Sequence, residues 1–137
     1  MADEVVLDAS AAAKLFFIDE DSEAVQRAVE DSASILAPDL LFAEMASVAA
    51  KMVSRRQVTA EQGRHAVRSL ADLLDDTSPM ADLAEQAFSI ATRFGFSAYD
   101  SFYLALAERR GAKVLTADRR MVRQAQQQGL GHLVQGL

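Results

Sequence analysis

The chain has 137 residues, half of them hydrophobic and a quarter charged, with no cysteine and a formal net charge of −6. That length suits one domain with a substantial core, and the lack of cysteine excludes a disulfide scaffold, a thiol nucleophile and a thiolate-ligated zinc site. The acid excess speaks against a general nucleic-acid binder, but it is uneven: the first 50 residues carry two bases and eleven acids, the rest twelve bases and nine acids.

Val5-Val6-Leu7, ended by Asp8, reads as a strand buried on both faces. A helix is expected over 10–17, then a solvated acidic turn over 19–23, with Ser22 capping a helix to about 31. Residues 34–37 form a second short strand, closed by Pro38. Pro38 and Asp39 open a long helix over 39–54. After a connector over 55–58, Thr59 and Gln62 make a capping-box pattern for a helix to about 74. Residues 75–79 read as a turn. The next helix covers 80–94 and stops at Gly95, and Ser97 caps another that ends near Arg110-Gly111. Residues 113–117 are a clear strand closed by Asp118, a final helix runs to about 128, and Leu133-Val134 is a last short strand. Strands alternating with helices imply a parallel sheet covered on both faces. No stretch has the roughly 18 apolar residues of a membrane span, and the N-terminus lacks the basic and apolar regions of a signal peptide. The expectation is therefore a soluble cytoplasmic protein with no membrane partner.

Ligands of open parallel sheets bind beyond the carboxyl ends of the strands, which is where Asp8 and Asp118 fall. No glycine-rich loop follows either strand, so a Rossmann or P-loop nucleotide site is not supported. An Asp-x-Asp phosphatase nucleophile is not supported either, since Ala9-Ser10 follow Asp8. Glu44 shares a narrow polar stripe with Ser47, Lys51 and Ser54 on a helix that is otherwise apolar, and so is buried by core or by a partner subunit. It is either a solvated member of that stripe or a site acid. Asp100 is followed on its helix face by Tyr103, Leu104 and Ala107, where an unpaired carboxylate is costly. Its structural alternative is a Ser97-x-x-Asp100 capping arrangement, and Asp8 and Asp118 have the same alternative as N-caps. Each alternative is adequate singly. Four such acids together fit a site whose repulsion a cation relieves, and oxygen donors without Cys or a local His favour Mg²⁺ or Mn²⁺.

Four stretches carry a family resemblance: Val5-Val6-Leu7-Asp8-Ala9-Ser10 with Lys14; Pro38-Asp39-Leu40-Leu41-Phe42-Ala43-Glu44; Ser97-Ala98-Tyr99-Asp100 through Tyr103-Leu104-Ala105-Leu106-Ala107; and Leu115-Thr116-Ala117-Asp118-Arg119-Arg120. In order and spacing the chain resembles the PIN-domain ribonucleases, specifically the VapC-like toxins of type II toxin–antitoxin pairs. Ala11-Ala12-Ala13 is smaller than the family's usual stretch after the serine. The resemblance implies an α/β fold, a three-layer α/β/α domain over 1–137 with a parallel sheet of four to five strands. It implies a metal site made by Asp8, Glu44, Asp100 and Asp118, with the hydroxyls of Ser10 and Thr116 beside it. It further implies hydrolysis of RNA by metal-activated water to a 5′-phosphate and a 3′-hydroxyl, a homodimer, and a cognate antitoxin. The antitoxin's C-terminal segment would pack along the toxin's helices and place an Arg or Lys in the acidic pocket.

Lys14, Arg119, Arg120 and Arg123, with Arg55, Arg56, Arg64 and Arg68, are either phosphate contacts or ordinary solvated charge. The helix dipole accounts for Arg109 and Arg110, and His65 and His132 match no ligand pattern. Phe42, Met45 and Met52 are expected in the core or at a subunit contact, and Phe16, Phe17, Phe102 and Tyr103 in the core. Two other functions stay open: a PIN nuclease outside any toxin system, and a catalytically silent interaction or RNA-binding module.

Overall fold

Val5, Val6 and Leu7 are buried to 6% exposure or less, which requires the strand they form to run through the middle of a sheet covered on both sides. The computed structural model, which describes residues 3–137, places it there. In chain order the elements are β1 (Glu4–Leu7), α1 (Ala9–Phe16), α2 (Ser22–Glu30), β2 (Ser34–Pro38), α3 (Leu40–Ser54), α4 (Ala60–Leu73), β3 (Asp76–Ser78), α5 (Met80–Phe94), α6 (Ala98–Arg110), β4 (Lys113–Leu115), α7 (Arg119–Gln127) and β5 (Val134–Gln135), the last preceded by a single 3₁₀ turn. The five strands are all parallel, in the order β3-β2-β1-β4-β5, with helices in layers on either side. The chain winds outward from β1 through β2 to β3, then crosses back to β4 and β5. The direction of winding therefore reverses between β1 and β4, and that switch point opens a crevice at their carboxyl ends.

Several local signals are realised as expected. Thr59 and Gln62 form the reciprocal capping box, Ser97 caps α6, and α5 and α6 end on Gly95 (φ 76°) and Gly111 (φ 63°), left-handed positions that favour glycine. Other expectations are corrected. Residues 76–78 are not a turn but the edge strand β3, formed by pairing rather than by any apolar pattern of their own. The Asp75 N–H donates to Ile35 O (2.8 Å), the Asp75 carboxylate accepts the Ile35 N–H (2.7 Å), and Leu36 pairs with Asp76. Pro38 belongs to β2 instead of closing it, β4 ends at Leu115, and β5 starts one residue late. Ser22 does not cap α2; its hydroxyl accepts the Asp19 N–H and braces the acidic turn. Of α3, only Leu41, Met45 and Ala49 are buried, so Ala46 and Ala50 face outward from this chain. Among the described residues no helix is long and apolar enough to cross a membrane.

Candidate active site

β1 runs directly into Asp8, and β4 runs through Thr116 and Ala117 into Asp118. Each aspartate caps the helix that follows. Asp8 Oδ1 accepts the Ala11 N–H (2.9 Å) and the Ser10 hydroxyl (2.7 Å); Asp118 Oδ1 accepts the N–H groups of Arg120 (3.0 Å) and Met121 (3.3 Å). The capping alternative thus holds for both, and it fixes their carboxylates at the switch point rather than removing them from it. Ser10 and Thr116 stitch the two loops together. Their hydroxyls are 3.2 Å apart, Ser10 Oγ accepts the Ala117 N–H (2.9 Å), and Thr116 Oγ1 accepts the Asp118 N–H (3.0 Å).

Asp100 enters from the first turn of α6, where its N–H donates to Ser97 Oγ at 3.1 Å. Glu44 enters from α3 and is half-buried, so its stripe is only partly solvated. Tyr103, one turn beyond Asp100, lies in the core as expected, but its hydroxyl donates to Glu44 Oε1 at 2.5 Å. Sequence reasoning missed that role. The available signal was the spacing of three from Asp100, which puts both residues on one helix face.

The electrostatics tie these groups together. Burial, with a smaller push from the Asp100 charge, raises Asp8 to about 6 against the hydrogen bonds of Thr116, Ala11 and Ser10. Burial and then the Asp100 charge push Glu44 up, with Tyr103 opposing; burial and the Asp118 charge push Asp100 up, with Ser97 and Arg120 opposing. The Tyr103 phenol is raised by burial and by Glu44, Asp8 and Asp100. The four acids therefore form one charge-coupled group centred on Asp100. Among the described residues no three Asp, Glu or His side chains stand as a ready-made ion cage. Asp8 and Asp118 are held by their own caps and Glu44 by Tyr103. Asp8, Glu44 and Asp100, raised by burial and by a neighbouring acid, are nonetheless the hard oxygen donors whose repulsion a divalent cation would relieve.

The candidate cations separate. Lys14 Nζ is bound by Asp19 (2.6 Å) and Asp21 (3.4 Å) in the acidic turn. Arg120 lies 4.0 Å from Asp118, and Arg119 and Arg123 line a cleft of about 300 Å³ that Thr116 and Ala117 also line. Arg64 lines an apolar cleft between α3 and α4. Arg109 and Arg110 have partners beyond the helix dipole: the Asp82 carbonyl for Arg109, and Glu4 and Asp76 for Arg110.

The sequence profile of the PIN domain matches residues 5–127. The chain belongs to the PIN-domain family. This PIN domain is 32% identical over 120 residues to ribonuclease VapC3 of Pyrobaculum aerophilum, a match covering 86% of this chain and 92% of the relative. Its fold is shared with VapC20 of Mycobacterium tuberculosis, a sarcin–ricin loop cleaving toxin, at a TM-score of 0.69 and 17% identity, over 87% of this chain and 93% of that one. It is shared also with VapBC2 of Rickettsia felis, solved bound to a DNA fragment from its promoter, at a TM-score of 0.69 and 10% identity over 98% of both chains. At those identities the two structures speak to the fold alone.

Proposed function

We propose that this PIN domain is a metal-dependent endoribonuclease and the toxin of a type II toxin–antitoxin pair. The observation that carries the reading is the charge-coupled group of Asp8, Glu44, Asp100 and Asp118 at the β1/β4 switch point, in a chain whose curated relative is a VapC ribonuclease. In this reading Asp8, Glu44, Asp100 and Asp118 would hold Mg²⁺ or Mn²⁺, and the ion would supply activation of a water nucleophile and positive charge for the phosphoryl oxygens. The protein's share is positional. Ser10 and Thr116 keep the loops bearing Asp8 and Asp118 in register, and Arg120 stands beside the acids to meet a phosphate. Arg119 and Arg123 extend a cationic path along the neighbouring cleft. The chain offers no cysteine and no histidine in the crevice for covalent catalysis, and the products are a 5′-phosphate and a 3′-hydroxyl.

The partner reading extends to surfaces. A cleft of about 850 Å³ is lined by Leu15, Phe16 and Ile18 and by the acids Asp19, Glu23 and Asp72, which suits an antitoxin segment with apolar and basic side chains. The exposed small residues Ala46 and Ala50 of α3, beside Val53 and Gly63, suit close approach of a second copy in a homodimer.

The test is cleavage of RNA by the purified chain with Mg²⁺ or Mn²⁺, with EDTA, and by Asp100→Asn. Metal-dependent cleavage that EDTA stops and Asp100→Asn reduces by about 100-fold or more is the expected result. Undiminished cleavage by Asp100→Asn would sink the assignment of the site. A folded wild type that binds RNA without cutting it under any of these metals would favour the silent module.

A further inference from the structure

Tyr103 is 2% exposed, and for filling that volume a phenylalanine would serve as well. Its hydroxyl needs a partner, because a buried unpaired hydroxyl is costly. The partner is Glu44 Oε1 on α3, 59 residues earlier in the chain, at 2.5 Å. The phenol also feels the charges of Asp8 and Asp100, so it is a neutral donor set among three carboxylates. A glutamate has three side-chain torsions, and one facing the Asp100 charge unheld would swing toward solvent. A tyrosine has two, and here the core locks them, so its hydroxyl is a fixed point. It engages Oε1 alone; among the described residues Glu44 Oε2 has no hydrogen-bond partner. Because Tyr103 and Asp100 share one face of α6, the bond also fixes the acid of α3 relative to the acid of α6.

We infer that Tyr103 is a positioning residue whose hydroxyl aims the Glu44 carboxylate at the crevice shared with Asp8 and Asp100, so that α3 presents its oxygen before a divalent ion arrives. The inference rests on the metal-nuclease reading and deepens it. Residues that orient metal ligands in this way alter metal affinity by about 10–100-fold when changed.

The experiment compares wild type, Tyr103→Phe, Glu44→Gln and the double variant for Mn²⁺ binding by calorimetry, with circular dichroism and thermal unfolding to confirm the fold. RNA cleavage is followed against Mn²⁺ concentration in parallel. Tyr103→Phe keeps the ring and is expected to fold, to bind Mn²⁺ about 10-fold more weakly, and to regain cleavage at saturating Mn²⁺. The double variant is expected to bind no more weakly than Glu44→Gln alone, because the hydroxyl acts only through that carboxylate. Unchanged Mn²⁺ affinity in Tyr103→Phe, or losses that add independently, overturn the inference while leaving the nuclease reading in place. A wild type that binds no Mn²⁺, with Asp100→Asn cleaving as well as wild type, overturns both.

Discussion

Glu4 and Asp76 open strands at one end of the sheet; Asp8 and Asp118 follow strands at the other. At the first end Arg110 reaches over from the close of α6 to lie 2.8 Å from Glu4 and 3.0 Å from Asp76, and the Ser34 hydroxyl donates to Glu4 at 2.6 Å. Glu4 is held below the usual glutamate range, first by the Ser34 hydrogen bond and then by Arg110 against some desolvation. At the second end burial and a neighbouring acid raise Asp8 and Asp100, and the nearest guanidinium, Arg120, stays 4.0 Å from Asp118. The residue types are the same; the difference is whether the protein supplies the countercharge. An acid that serves the fold is given a cation of the fold's own. In the proposed reading, the acids kept for a cation from solution are only partly compensated, by Arg120, and stability bears that cost.

The sharpest way to break this contrast is Asp8→Asn. The amide keeps the Oδ1 acceptor that caps α1, and cleavage is expected to fall by about 100-fold or more while the metal-free protein becomes more stable. The sign follows from linkage. Asp8 titrates at about 6 in the folded chain against an ordinary value of 3.8, so the folded state binds more protons between those values. Its contribution therefore worsens as pH rises through that window, by at most about 3 kcal/mol, and Asp8→Asn removes the decline. Chemical denaturation of the metal-free protein at pH 4 and pH 7 reads it; a wild type and variant with parallel pH profiles would refute it.

The opposite end is expected to behave oppositely. The stabilisation from Glu4 is present above its unfolded value near 4.5 and is lost as pH falls through the lower folded value. Arg110→Gln should lower the melting temperature by about 2–4 °C and leave metal-dependent cleavage unchanged, as thermal unfolding and an RNA assay will show. The smallest effect belongs to the cleft beside the site. Arg119→Ala with Arg123→Ala should raise KM for RNA a few-fold, more at low salt than at high, with kcat retained. A fall in kcat at saturating RNA would move those arginines from the path into the chemistry.

Much of the candidate site's placement was legible because its parts are local. Asp8 and Asp118 stand at the ends of β-branched or aliphatic runs, and Asp100 follows the Ser97 cap by three residues, so strand end and helix start are written within a few positions of each acid. The Tyr103 contact was hidden because a tyrosine in an apolar face reads as core, and it is core; only its last atom departs. Edge strand β3 was hidden for the converse reason. Asp76-Thr77-Ser78 is polar and exposed, has the composition of a turn, and becomes a strand only because β2 offers it a row of backbone partners.

By itself the sequence determined the Thr59 and Ser97 caps, the glycine stops after α5 and α6, the three inner strands and the family to which those motifs belong, since each depends on steric and hydrogen-bonding preferences acting over a few residues. Only the tertiary structure decided that α3 delivers Glu44 to the hydroxyl of Tyr103, that Arg110 clamps Glu4 and Asp76, and that Lys14 is spent on the acidic turn instead of facing the crevice. The first two pairings join residues that no local window contains, and the third depends on how the chain turns after α1. Each is set by the sheet order and the loops it draws together, because charge and hydrogen bonding act through space between groups that the chain itself keeps apart.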